Sequence, residues 1–384
     1  MSALSSEFPV SSGEMPALDF DRADRVTRRH QLLKDYLKTR RYDAILLQDP
    51  ANFAWLTCGG DNTRSGGSVP VAAILVTADA RVILCNNVDS GQLFERELAG
   101  LGFLLKERPW TESPDVLRTA VCRGRTVASD VWFPATENIA ADIQQFRFTL
   151  DEPDIERARQ LSHEVAHAVE ATARNFRSGA TEAEVAGHLS HRLLKHGIEP
   201  TRLQVMADGQ GWRYRHWAYG HDPIEMHCVI SATGRRAGLH SSATRTVCLG
   251  CPAEDVFKTH QLAMLVQTTG MYFSQAGWTM EETWQRVARI YEKFDIPDEW
   301  RLTDQAEITG FRAIEARVTP SSQTRFQAGQ LVHWHPSVRS AAVGDTILIK
   351  DSGFEVLTAP TEWPMVMIRV KDCQISRPDV LVVE

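Results

Sequence analysis

The chain has 384 residues, 43% hydrophobic and 24% charged, with a formal net charge of −7. That length suits two domains better than one core, and the composition is that of a soluble globular protein rather than a disordered or fibrous one. A negative chain without a basic stripe argues against nucleic acid or an anionic membrane surface as the main partner, and no apolar run reaches the roughly eighteen residues of a membrane helix.

Residues 1–20 carry Ser, Glu and Pro where a signal peptide needs a basic start and an apolar core, so a flexible leader and a cytoplasmic location are expected. The seven cysteines are odd in number and scattered, which fits a reducing compartment. Cys248 and Cys251 have CxxC spacing, but no second pair completes a zinc site, and an incidental turn is expected there. From Asp21 a basic amphipathic helix with Val26, Leu32, Leu33, Tyr36 and Leu37 leads into the buried-strand pattern Tyr42–Leu47. Further strand patterns at Val71–Val76, Arg81–Cys85 and Arg125–Asp130 alternate with helical spacers and predict a small α/β domain over 21–150. Between the first two strands, Asn52–Arg64 is a Gly- and Asn-rich loop too long for a tight turn.

The second domain is expected over 151–384. Asp151-Glu-Pro-Asp starts a helix well, with Pro in the first turn and acidic residues where the helix dipole favours them; Ile155, Ala158, Leu161, Val165 and Ala168 then form one stripe. A Ser178-Gly179 stop is followed by the capping box Thr181-Glu-Ala-Glu184. Gly211–Tyr219 reads as a strand of period two, with Trp212, Tyr214 and His216 on one face. Cys228–Val247 reads as a β-hairpin turning at Gly234. Helices are expected over Ala253–Gly270 and Thr279–Phe294.

In the hairpin, Thr244-Arg245-Thr246 resembles the pita-bread family of aminopeptidase P, prolidase, methionine aminopeptidase and the metal-free enzyme creatinase. The resemblance extends over about residues 22–370: the Asn52 loop, the Thr181-Glu-Ala-Glu184 junction, Ile308-Thr-Gly-Phe311, Gly329–Pro336, Val343–Ile349 and Gly353–Thr358 follow the family's landmarks in order. It implies an α/β chain in which a pita-bread catalytic domain follows a smaller creatinase-type α/β domain. It also implies a homodimer, and an active-site histidine at His216. Arg64 follows Asn52 at the spacing of a creatinase arginine that holds the substrate carboxylate from the neighbouring subunit; a solvated loop arginine is the other reading.

In the metallopeptidases of this family five side chains hold two divalent ions, and their positions here are Ser231, Ser242, Phe311, His335 and Gly344. Two divalent ions need several carboxylates as hard donors and as counter-charge, so no metal and no cofactor is expected. A zinc site rebuilt from His216, His240, His333 and His335 would be poorly arranged, because His333 and His335 share a strand face only two residues apart. Imidazole changes charge near neutral pH, so His216 and His335 are expected to do acid–base work. The creatinase carboxylates that grip a guanidinium would fall at Thr244 and His335. A cationic substrate therefore loses its anchors, while Arg64, Arg312, Arg317 and the histidines suit a carboxylate-bearing one. Trp212, Ser231, His240, Ser242, Phe311 and His333 complete the expected binding surface for a small molecule. The implied activity is metal-independent, creatinase-like hydrolysis of a C–N bond; the alternative is a catalytically dead homologue that binds a ligand or peptide.

Overall fold

A computed structural model describes residues 19–64, 67–175, 177–251 and 253–383. Of the expected leader, only Asp19 and Phe20 are described, and they cap and begin the first helix. The chain divides into two compact units between Ala141 and Asp142. No described helix is long and apolar enough to cross a membrane.

In the amino-terminal unit the Phe20–Arg40 helix is capped by the Asp19 carboxylate, which accepts from the Arg22 amide at 2.9 Å. It buries Val26, Leu33 and Leu37. A mixed six-stranded sheet runs in the order 104–108, 81–86, 72–76, 44–47, 127–129, 136–138. Every residue of Ala44–Leu47 and Ala72–Val76 is buried, which is why these strands are continuous apolar runs. Leu104–Arg108 is exposed along its whole length. Neither of its faces is apolar, so it carries no strand pattern in the sequence.

The second unit is built around the hairpin His227–Arg236 and Leu239–Leu249, flanked by Glu199–Ala207 on one side and Leu381–Val383 on the other. The hairpin turns at Ala237–Gly238, where φ is 51° and 79°, not at Gly234 as the sequence suggested. Gly234 lies inside the first strand, where a Cβ would stand 2.5 Å from Ile198 and 2.7 Å from Val165. Its glycine therefore answers to close packing rather than to a turn. The Glu152–Ala173 helix, capped by Asp151, packs on the second hairpin strand. The next helix, Glu182–Lys195, carries a complete Thr181/Glu184 capping box.

A five-stranded sheet orders 316–317, 306–309, 331–334, 345–349, 354–356. Glu307 pairs with His333, and His333 with Thr346 across the next strand, so these three share one face. Trp334 points the other way into the core formed with the Glu254–Phe273 and Met280–Lys293 helices. A Cβ on Gly270 would stand 2.5 Å from the Trp334 ring, so that helix position must be glycine.

Gly211–Tyr219 is not a strand: it holds one 3-10 turn, Gln210–Trp212, and then loop. Its alternation of aromatic and cationic residues has no apolar face to bury. Tyr214 and Trp217 instead stack on each other at 5.4 Å.

The candidate active site

The two sheets of the second unit meet through backbone and hydroxyl bonds. The Thr244 amide donates to Gly344 O at 2.9 Å, the His240 amide to Gly310 O at 2.9 Å, and the Ser242 amide to Thr346 Oγ1 at 3.1 Å. Beneath this seam Arg245 is fully buried between Glu170 and Asp345, at 3.1 and 2.9 Å, and Arg377 closes on the same Asp345. These bonds bring the hairpin strands and the His333–His335 segment to one small polar cleft of about 40 Å³. Its walls include Arg202, Arg215, His216, Ser231, Thr244, His333 and His335.

The two hairpin positions expected to matter, Ser231 and Ser242, carry hydroxyls that are each satisfied by a neighbouring threonine. Thr244 Oγ1 donates to Ser231 Oγ at 2.8 Å, and Thr233 and Ser242 share a bond of 2.8 Å. Ser231 lines the cleft, while Ser242 is buried beneath it. Phe311 is 2% exposed and sits in the core. His240 is buried and donates from Nδ1 to Gly310 O at 3.2 Å; burial pushes its pKa down to about 4. Neither Phe311 nor His240 belongs to the cleft walls. Trp212 is 58% exposed beside Arg339 and also lies outside them. Arg312 is exposed, with its backbone bound to Glu315, and Arg317 pairs with Asp304 at 3.4 Å. Arg64 belongs to the amino-terminal unit, where it forms a two-pronged pair with Asp89 at 2.9 and 3.0 Å.

The geometry does not fit the family's pair of divalent ions. A Cβ at Gly344 would stand 2.4 Å from Thr244 Oγ1 and 3.2 Å from the His333 ring, leaving no room for a longer side chain. With no carboxylate at the five positions, the charge of two ions would go unbalanced. Among the described residues, Glu307, His333 and His335 are the one group of ligand-capable atoms drawn within 4.8 Å of one another. Glu307 and His335 are already joined to each other there.

Each expected catalytic imidazole has a carboxylate that the sequence reading did not identify. His335, at the end of its strand, is bound through Nε2 to the buried Glu307, and the described residues offer its Nδ1 no partner. Burial pulls His335 down, but the negative charges of Glu307 and Asp304 together outweigh it, so the pKa is raised. Glu307 is held below its ordinary value: burial would raise it, and His335 overcomes that. His333 stacks on His335 with ring centroids 4.8 Å apart, and burial together with the neighbouring imidazole drives it down to about 4.

His216, on the exposed loop, faces Asp304 Oδ1 at 3.0 Å through Nε2 and the Arg202 guanidinium through Nδ1. Arginine only donates, so Nδ1 is the acceptor and Nε2 carries the hydrogen. The His216 bond holds Asp304 well below the usual carboxylate range. Arg202 has no carboxylate partner among the described residues, whereas Arg215 in the same wall is paired with Glu299 at 2.8 Å. Alternation along Glu199–Ala207 was the available signal for Arg202. Glu307 becomes visible only once strand register is known, and Asp304 only once the loop carrying His216 is placed.

A larger cavity, about 680 Å³, lies between the Glu254–Phe273 helix and the Met365–Val370 strand. It holds no imidazole, so its size does not mark the chemistry.

Comparison with known proteins supports the fold. An uncharacterized peptidase of Staphylococcus aureus is 20% identical over 344 residues, covering 84% of this chain and 97% of that protein. The crystal structure of the prolidase from Pyrococcus horikoshii matches with a TM-score of 0.75 at 18% identity, over 87% of this chain and 99% of that one. The N-terminal domain of the FACT complex subunit SPT16 from chickpea matches with a TM-score of 0.68 at 12% identity, over 90% and 98%. The model of metallopeptidase family M24 matches residues 154–353, more than half the chain and all of the cleft just described. The chain therefore has the pita-bread fold and belongs to metallopeptidase family M24, a family of hydrolases.

Proposed function

We propose that the protein is a metal-independent, creatinase-like hydrolase of a C–N bond in a small, amino-acid-like substrate that bears a carboxylate. The observation that carries this reading is the pair of imidazoles, His335 on Glu307 and His216 on Asp304, in one polar cleft. A carboxylate-oriented imidazole is the arrangement that general acid–base catalysis requires. Arg202, a guanidinium resting on a neutral acceptor, supplies the anchor for the substrate carboxylate.

These groups assign the steps. Substrate carboxylate draws Arg202 away from His216, which frees Nδ1 to accept a proton from water. The water oxygen bonds to the reacting carbon, the C–N bond breaks, and protonated His335 gives the proton on Nδ1 to the leaving nitrogen. Glu307 favours the charged form of His335 for that task. The cleft is too small for a substrate as it stands, so the loop carrying His216 must yield on binding.

The test is turnover of carboxylate-bearing amides and amidines in chelated buffer. His335→Ala and His216→Ala should each lose roughly two to four orders of magnitude in kcat, and Arg202→Ala should act mainly on KM. Full activity in both histidine variants would overturn the assignment. A second reading, a binding protein without turnover, draws on the narrow cleft and on the likeness to the chickpea SPT16 domain. It would be favoured by ligand affinity that changes in these variants while no substrate is turned over.

A further inference from the structure

A second cavity, of about 310 Å³, opens on the other side of the hairpin scaffold, between the Glu152–Ala173 and Glu182–Lys195 helices. Its eight lining residues include His163 and His167, one turn apart on the first helix, and His191, Arg192, Lys195 and His196 at the end of the second. The four histidines and Lys195 are exposed. The single carboxylate in the lining, Glu164, is already neutralised by Arg236 at 2.6 Å.

We infer that this cavity is a binding site for a multivalent oxyanion of the phosphate class. The lining is almost entirely donors. Arg192 and Lys195 are permanent cations, and each neutral imidazole still offers one N–H. Arg192 Nε is buried and has no hydrogen-bond partner, a cost that an incoming oxyanion would remove. Basic residues in the last turn of a helix complement its dipole, which accounts for Arg192 and Lys195. It does not account for His163 and His167, which sit in the middle of the neighbouring helix. Arg192 and Lys195 face a void whose one carboxylate is already paired, a local field that favours an anionic occupant. A transition metal suits the site less well. The cationic Arg192 and Lys195 share the cavity, and among the described residues no three of its ligand atoms are gathered as those of Glu307, His333 and His335 are.

The site is independent of the hydrolase reading, and it is tested on the full chain by calorimetry and thermal shift. Inorganic phosphate, pyrophosphate, a phosphomonoester sugar and sodium chloride are compared at matched ionic strength. Pyrophosphate should raise Tm saturably, and the Arg192→Gln/Lys195→Gln double variant should weaken it at least tenfold with its own Tm unchanged in ligand-free buffer. Phosphomonoester binding as tight as pyrophosphate identifies a phosphorylated metabolite as the ligand; a clear preference for pyrophosphate identifies free polyphosphate. Three results would each overturn the inference: equal effects of all the salts, undiminished binding in the double variant, or stabilisation by zinc alone that is lost in His163→Ala/His167→Ala. Should the double variant fold poorly, His163→Gln and His191→Gln, both exposed, serve as the second pair, and unchanged pyrophosphate affinity in them also refutes the site.

Discussion

Replacing Glu307 by Gln isolates what raises the pKa of His335. Both side chains are largely buried, 7% and 12% exposed, and burial alone would push the imidazole below its ordinary value of about 6.5. In Glu307→Gln that opposing burial acts with much less negative charge against it, so the pKa of His335 should fall. The imidazole escapes as the neutral form rather than as a stranded cation, so the stability loss is that of an unpaired buried partner, about 1–3 kcal/mol, and not the larger cost of an isolated buried charge. The sign with pH follows from linkage. His335 is raised in the folded state, so its share of the stability is full below about pH 6.5 and fades as pH rises through the folded value. Glu307 is lowered, so its share is present above about pH 4.3 and is lost as pH falls through its folded value. The deficit of the variant should therefore be greatest near pH 5–6 and shrink toward pH 9. Urea unfolding at a series of pH values, with an NMR titration of the histidines, measures both effects. A deficit independent of pH, or an unshifted His335 titration, would refute the pairing.

Other perturbations test separate parts of the structure. Elemental analysis of the purified protein should find no stoichiometric divalent metal; one ion per chain, lost on Glu307→Gln, would replace the acid–base reading with a metal site there. Gly270→Ala forces a methyl group against the Trp334 ring and should cost about 1–3 kcal/mol, measured as a lowered urea midpoint; an unchanged midpoint would mean that the helix and strand separate freely. His240 and His333, each pushed down to about 4 by burial, must take up protons on unfolding, so stability should fall as pH drops from about 6.5 toward 4; a flat acid profile in calorimetry would contradict their burial. We also propose a homodimer, which light scattering at micromolar concentration checks. Arg64→Ala should then weaken substrate binding with little change in Tm, because the Arg64 side chain is 63% exposed and solvent screens such a pair.

The sequence by itself determined the hairpin, the capped helices and the buried central strands. Those features rest on local rules: a Thr-x-x-Glu box can bond only its own helix end, and an apolar run such as Ala44–Leu47 has few places to go but inside. The same local rules misread Gly234, whose glycine is set by Val165 and Ile198 from other elements, and Gly211–Tyr219, whose alternation has no face to bury. The order of landmarks located Ser231, Ser242, Phe311, His335 and Gly344 and with them the expectation that the dinuclear metal set is missing. Only the tertiary structure decided what stands in its place. Glu307 reaches His335 because of the strand register, which hydrogen bonds between distant segments fix. Asp304 and Arg202 meet His216 only because the loop that carries His216, which has no periodicity to read, folds back over them. Which charge meets which depends on through-space distance, and a linear chain carries that only after it has folded.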